Sequence, residues 1–101
     1  MTKKMKAIFI ACDQALYDEV HQVMKRLGVR GYTSWDEVTG CGSETGEPHL
    51  GEAVWPILNS AILTITDDER CDELLEALRE LDSKNPLLGV RAFWWEVGGT
   101  L

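Results

Sequence analysis

The chain has 101 residues, of which 45% are hydrophobic and 27% charged, and its formal net charge at pH 7 is -7. These values are typical of one compact domain with a modest core, and they exclude a multidomain enzyme and a disordered acidic tail. The excess of acids also disfavours nucleic acid as a partner, because phosphate backbones attract cationic surfaces. No apolar run approaches the roughly 20 residues of a membrane span, and the three cysteines form neither a CxxC pair nor a disulfide-dense pattern. We therefore predict a single domain over residues 1–101, located in the cytoplasm, with reduced thiols.

The first half of the chain predicts a strand, a helix and a second strand. Lys6 to Cys12 is a short apolar run, and Asp13 after it is a residue type that caps helix N-termini. The next apolar residues recur at the spacing of one helical face: Leu16, Val20, Val23, Met24 and Leu27. Gly28 stands where a helix C-terminus favours positive φ, and residues 32–38 are compatible with a strand. We therefore predict a helix over 13–27 with one buried stripe.

The second half predicts a loop, a strand, a helix and a last strand. Residues 39–53 contain too many breakers for a regular element, namely Gly40, Gly42, Gly46, Pro48 and Gly51. A strand over 57–65 leads into Thr66-Asp67-Asp68-Glu69, which predicts a capping box in which Thr66 and Glu69 bond each other's amides. The helix over 67–82 has one apolar stripe, formed by Cys71, Leu74, Leu75, Leu78 and Leu81. The last strand covers 90–97, so the element order is βαββαβ.

This order predicts a ferredoxin-like α+β fold, in which an antiparallel four-stranded sheet carries both helices on one face. The other face of the sheet is then bare. Two sets of residues alternate along the last strand, Phe93, Trp95 and Val97 against Val90, Ala92 and Trp94. One bulky aromatic set therefore faces away from the helices. Because large apolar patches are rare on soluble monomers, we expect further copies of the chain to cover this face.

Two glycine-containing segments resemble the P-II signal-transduction proteins. The first is Leu27-Gly28-Val29-Arg30-Gly31-Tyr32-Thr33, and the second is Glu37-Val38-Thr39-Gly40-Cys41-Gly42-Ser43-Glu44-Thr45-Gly46. They are similar to the family's G-[ITV]-x-G-x-T segment on the second strand and to its V-x-G-x-G-x-x-x-G segment at the loop base. Thr66-Asp67-Asp68-Glu69 is similar to the start of the family's second helix. The resemblance extends from the first strand to Val97.

The resemblance implies a homotrimer whose inter-subunit clefts bind a small effector, often an adenine nucleotide. It also implies that the loop over 39–53 signals to a regulated enzyme or transporter. The cleft residues that it implies are Gly31, Tyr32, Thr33, Gly40, Cys41, Gly42, Ile65, Thr66 and Lys84. The segment from Asp82 to Gly89 offers one lysine and one glycine where the family is rich in both. Since a triphosphate needs several cations or donors, we expect an effector that differs from ATP or is less charged than ATP.

Cys41 and His49 are the only soft-ligand pair in the loop, and a thiolate with an imidazole is the chemistry that Zn²⁺ or Cu ions select. A metal-binding or metal-tolerance protein is therefore the alternative, since the CutA-type divalent-ion tolerance proteins share the trimeric architecture. Catalysis is not expected, because the sequence has no nucleophile motif and no P-loop. The other imidazole, His21, is expected on the surface of the first helix. We predict a non-catalytic regulator that requires no cofactor.

Overall fold

The computed structural model describes residues 4–40 and 57–101. The elements in these two ranges are, in chain order, β1 (Met5–Asp13), a 3-10 helix (Gln14–Leu16), α1 (Tyr17–Arg26), β2 (Tyr32–Gly40), β3 (Ile57–Asp67), α2 (Asp68–Lys84) and β4 (Val90–Glu96). This order confirms the predicted βαββαβ arrangement.

The four strands form one antiparallel sheet in the order β2-β3-β1-β4. Both helices pack on one face of it, where they bury Ile8, Ile10 and Ile62 completely. The predicted stripe of α2 is buried at every position, whereas Val23 and Leu27 of the α1 stripe are only partly buried. The fold is therefore ferredoxin-like, as predicted. In the part of the chain that the structure describes, no helix is long and apolar enough to cross a membrane.

Local signals set both ends of the first helical segment. The Asp13 carboxylate accepts a hydrogen bond from the Ala15 amide at 2.8 Å and so caps the first turn. At the other end Gly28 has φ of 77°, and the amide of Val29 bonds the Met24 carbonyl at 2.9 Å while the Gly28 amide bonds the Lys25 carbonyl at 3.1 Å. These two bonds are those of a Schellman motif, which needs a residue with positive φ after the helix. The prediction of a C-terminal cap at Gly28 is confirmed.

The predicted capping box at the start of α2 is wrong. Asp67 is the N-cap, and its Oδ1 atom accepts from the Arg70 amide at 2.8 Å. Thr66 is instead the penultimate residue of β3, where it pairs with Lys6 of β1 and is only 7% exposed. The strand extends further than the sequence predicts because its pairing with β1 continues as far as Asp67. Thr66 therefore cannot cap α2, because strand pairing keeps it in β3.

The face of the sheet that the helices leave bare is strongly apolar. Its exposed residues include Phe93 at 60%, Trp95 at 50% and Ile65 at 40% of their full accessibility. Trp94 lies on the other face, where it borders a groove with Leu75 of α2. The structure thus decides which aromatic set of β4 faces outward, and it confirms that the helices do not cover it.

Candidate functional site

Five of the predicted effector residues gather at one end of the sheet, which we call the first end: β1 and β2 begin there, and β3 and β4 finish. They are Gly31, Tyr32, Thr33, Ile65 and Thr66. Thr64, which pairs with Tyr32, donates from its hydroxyl to the Gly31 carbonyl at 2.6 Å. Because Thr64 is buried, this bond fixes the entry of the chain into β2.

The members of this group point to different faces of the sheet. Tyr32 lies on the helical face, where its ring contacts His21 of α1. Side chains alternate along a strand, so Thr33 projects from the bare face. Ile65 also lies on the bare face, opposite Ala7 of β1, whereas Thr66 is buried on the helical face. Thr33 and Ile65 are therefore the side chains of this group that a ligand or a second copy on the bare face can contact.

Gly40 and Lys84 lie at the opposite end, which we call the second end. Gly40 is the last residue of β2 and pairs with Ile57, while Lys84 is the last residue of α2. Tyr32 and Gly40 are separated by about 27 Å of extended strand, and α2 is about 25 Å long. Within one chain the predicted effector residues therefore form two separate groups, and a cleft that contains both requires more than one copy.

A β-bulge lies between Trp35 and Val38, where β2 has one residue more than the facing part of β3. The Asp36 carbonyl inside the bulge accepts from Ser60 Oγ at 2.6 Å and from Gln14 Nε2 at 3.2 Å. Ser60 is fully buried. Bulges bend a strand and redirect the chain beyond them, so this bond network orients the end of β2 from which the predicted loop departs.

The N-terminus of α2 is occupied by acids. Asp67 caps it and also binds the Arg70 guanidinium at 2.7 Å, and Asp68 lies 3.5 Å from the Lys6 ammonium. Glu69 is a third acid in the first turn. Free amides at a helix N-terminus can bind an anion, but here the carboxylates already use that potential and would repel a phosphate. The acids therefore disfavour a highly charged ligand at the first end.

The turn between α2 and β4 uses its polar groups internally. The Asp82 carboxylate accepts from the Val90 amide at 3.2 Å, and the Asn85 side chain donates to the Leu81 carbonyl at 2.9 Å. The Lys84 ammonium lies 3.2 Å from Glu80, with both side chains largely exposed. Such an exposed pair is weak, so Lys84 can be recruited by a ligand at small cost. It is the only cation that this turn offers.

Three of the predicted site residues, Cys41, Gly42 and His49, lie outside the described residues, so the metal site remains a prediction. Within residues 4–40 and 57–101, no group of three or more His, Cys, Asp or Glu side chains could hold a metal ion.

Sequence reasoning missed a group of side chains on the helical face near the first end. The His21 ring lies between two tyrosine rings, with centroids 4.4 Å from Tyr17 and 4.8 Å from Tyr32, both edge to face. The Tyr17 hydroxyl also shares a hydrogen bond of 2.8 Å with Ser34 Oγ of β2. His21, which was expected on the surface of the first helix, is partly exposed, but its Nε2 atom is buried. The spacing of Tyr17, His21 and Lys25, four residues apart on one side of α1, was the available signal.

Comparison with known proteins decides the family. The model of the nitrogen regulatory protein P-II family matches residues 5–90, which is most of the chain. The chain belongs to the P-II family. Trimeric assembly is typical of P-II proteins, and proteins of this family act as regulators rather than as enzymes. The metal-tolerance alternative receives no support from the comparisons.

Solved structures with the same fold are PII-like proteins. A PII-like signalling protein from Thermus thermophilus is 26% identical, with a TM-score of 0.67 over 94% of this chain and 88% of that one. CPII from Thiomonas intermedia K12, bound to ADP, AMP and bicarbonate, is 20% identical, with a TM-score of 0.66 over 97% of each chain. GlnK of B. subtilis in complex with ATP is 18% identical, with a TM-score of 0.73 over 100% of this chain and 88% of that one. No curated protein sequence matches the chain significantly.

Proposed function

We propose that this P-II protein is a homotrimeric, non-catalytic regulator that binds a small effector of low charge in clefts between subunits. The loop over 39–53 signals to a regulated enzyme or transporter whether the effector is bound. In this proposal the protein acts in the cytoplasm, requires no cofactor and binds no nucleic acid.

The observation that carries the proposal is the division of the predicted effector residues between the two ends of an uncovered sheet. Thr33 and Ile65 project from the bare face at the first end, while Gly40 lies at the second end. Packing of three copies through the bare face removes Phe93 and Trp95 from water and places residues of one subunit beside those of the next. A shared cleft is then a consequence of assembly.

The charges support an effector with few phosphates. The first turn of α2 contains Asp68 and Glu69 behind the Asp67 cap, and the turn from Lys84 to Gly89 offers one cation, Lys84, with Arg91 following in β4. ATP requires more positive charge or more donors than these groups supply. CPII binds ADP, AMP and bicarbonate. We therefore propose AMP or ADP, alone or with bicarbonate, as the effectors of this chain.

Calorimetric titration of AMP, ADP and ATP, each with and without bicarbonate, tests the proposal. We expect AMP or ADP to bind more tightly than ATP, and an effector at 100 times its Kd to stabilise the fold by about 2.7 kcal/mol. Lys84→Gln should weaken ADP binding about fivefold, on the order of 1 kcal/mol. Arg79→Gln is the matched control, since Arg79 is also exposed, lies on the same helix and pairs with a glutamate.

Hydrogen exchange tests the signalling part of the proposal. Residues 39–53 should gain protection when the effector binds, because a ligand that orders a segment must prefer its ordered state. If no nucleotide binds with or without bicarbonate, the effector assignment is wrong. If a nucleotide binds but exchange in this loop does not change, the loop is not the signalling element.

A further inference from the structure

A cleft at the C-terminal end of α1 has the size and lining of a ligand site, and it lies on the helical face of the sheet. Its volume is about 510 Å³, and it is lined by His21, Met24, Lys25, Val29, Arg30 and Tyr32. Pockets for small organic molecules are commonly about 300–1,000 Å³. Met24 and Val29 are almost fully buried and provide an apolar floor, while the rings of His21 and Tyr32 provide aromatic walls.

The cleft is positively charged although the chain as a whole carries a net charge of -7. Lys25 and Arg30 both line it, and among residues 4–40 and 57–101 no carboxylate does. Other cations of the described chain, such as Lys6, Arg70 and Lys84, are paired with acids. The side chains of Lys25 and Arg30, by contrast, form no ion pair or hydrogen bond with any residue in 4–40 or 57–101.

The imidazole ring of His21 also lines the cleft. Its Nε2 atom is buried and has no hydrogen-bond partner among the described residues. Most buried polar atoms in proteins are hydrogen-bonded, because burying an unpaired one is unfavourable. The edge-to-face contacts with Tyr17 and Tyr32 hold the ring in place but do not satisfy this nitrogen.

We propose that this cleft binds a small aromatic carboxylate. The guanidinium of Arg30 and the ammonium of Lys25 hold the carboxylate, and the planar body packs on the Met24 and Val29 floor beside the Tyr32 ring. Arginine suits this role because its planar fork matches the two oxygens of a carboxylate. The His21 ring, which also lines the cleft, provides a second aromatic wall for the planar body.

This site shares Tyr32 with the predicted effector residues but faces the other side of the sheet from the remaining exposed members of that group. Thr33 and Ile65, which belong to the predicted effector cleft, project from the opposite face of the sheet. Arg30→Gln leaves Tyr32 in place and therefore tests benzoate binding separately from nucleotide binding.

Benzoate is the probe for the test, with benzamide as the neutral analogue, acetate as the anion without a ring and phenyl phosphate as the alternative anion. We expect amide signals of Lys25 and Arg30 and the imidazole nitrogen signals of His21 to shift with benzoate in NMR spectra of the full chain. Benzamide and acetate should each bind about tenfold more weakly or worse, since each lacks one of the two interactions.

Single substitutions locate the site. Arg30→Gln and Tyr32→Leu should each weaken benzoate binding about tenfold or more. Arg26→Gln is the matched control, because it removes the same charge four residues earlier, at the end of α1, from a residue that lines a different groove beside Gln22 and Lys84. It should leave the affinity unchanged.

Any one of the following outcomes overturns the proposal. The first is that the His21 nitrogen signals do not shift at 10 mM benzoate, which is about the weakest binding that would count. The second is that benzamide binds as tightly as benzoate, and the third is that Arg26→Gln weakens benzoate binding as much as Arg30→Gln does. The last is that Tyr32→Leu changes the oligomeric state. The last outcome would make the cleft an interface between subunits. Tighter binding of phenyl phosphate than of benzoate would replace the carboxylate by a phosphate as the recognised group, and would equally contradict the proposal as stated.

Discussion

Trp95→Asp is expected to dissociate the trimer. In the single chain the Trp95 side chain is 50% exposed on the bare face of the sheet. A tryptophan can bury up to about 250 Å², so covering the exposed half removes about 125 Å² from water, which at about 25 cal/mol per Å² contributes about 3 kcal/mol per subunit. Three subunits lose about 9 kcal/mol per trimer. Aspartate also places a carboxylate in an apolar interface, which adds a desolvation cost of several kcal/mol.

Sedimentation equilibrium at micromolar concentration measures this effect. The wild type should sediment as a trimer and Trp95→Asp as a monomer, with far-UV circular dichroism showing that the variant is folded. Trp94→Asp is the matched control, since it makes the same change one position away but on the helical face, beside Leu75 and Leu78. It should remain trimeric at a lower melting temperature.

Two results would refute the reasoning about the bare face. One is a wild type that is a stable monomer at micromolar concentration. The other is a Trp95→Asp variant that stays trimeric to the same dilution as Trp94→Asp. If Trp95→Asp is unfolded, Trp95→Ala takes its place, because it removes the buried area without introducing a charge.

Three further predictions concern stability. Gly28→Ala should lower the free energy of unfolding by about 1–2 kcal/mol, because φ is 77° and the new Cβ would lie 3.4 Å from Arg70 Nε. Gly31→Ala is the control, since its Cβ would meet nothing within 4 Å, and it should change the stability in urea far less. Asp67→Ala should cost about 1 kcal/mol by removing the cap of α2, and an unchanged urea midpoint would contradict the cap assignment. Burial, with a smaller contribution from Asp13, raises the pKa of the Cys12 thiol from 9.0 to about 11. The unfolded chain therefore loses this proton first, so stability should fall as pH rises from about 9 to 11, and Cys12→Ala should reduce that fall in denaturation curves.

The sequence alone determined the element order, both helical stripes and the two helix caps that depend on local chemistry. Asp13 and Gly28 act through backbone groups a few residues away, so their roles are visible without the rest of the fold. The apolar alternation of β1 and β4 likewise predicted a bare, hydrophobic sheet face. The family segments around Gly31 and Gly40 pointed to P-II proteins, and the family match over residues 5–90 confirmed that resemblance.

Only the tertiary structure decided the features that depend on strand register and on contacts between distant residues. Because β3 pairs with β1 as far as Asp67, Thr66 stays in the sheet and Asp67 is the N-cap of α2, although the local sequence favoured Thr66 as the cap. The bulge before Val38 and the burial of His21 between two tyrosines likewise require knowledge of which strand lies beside which helix. A helix cap is set by hydrogen bonds within one turn, whereas register and burial are set by the lowest free energy of the whole packed sheet, which no single segment of the chain encodes.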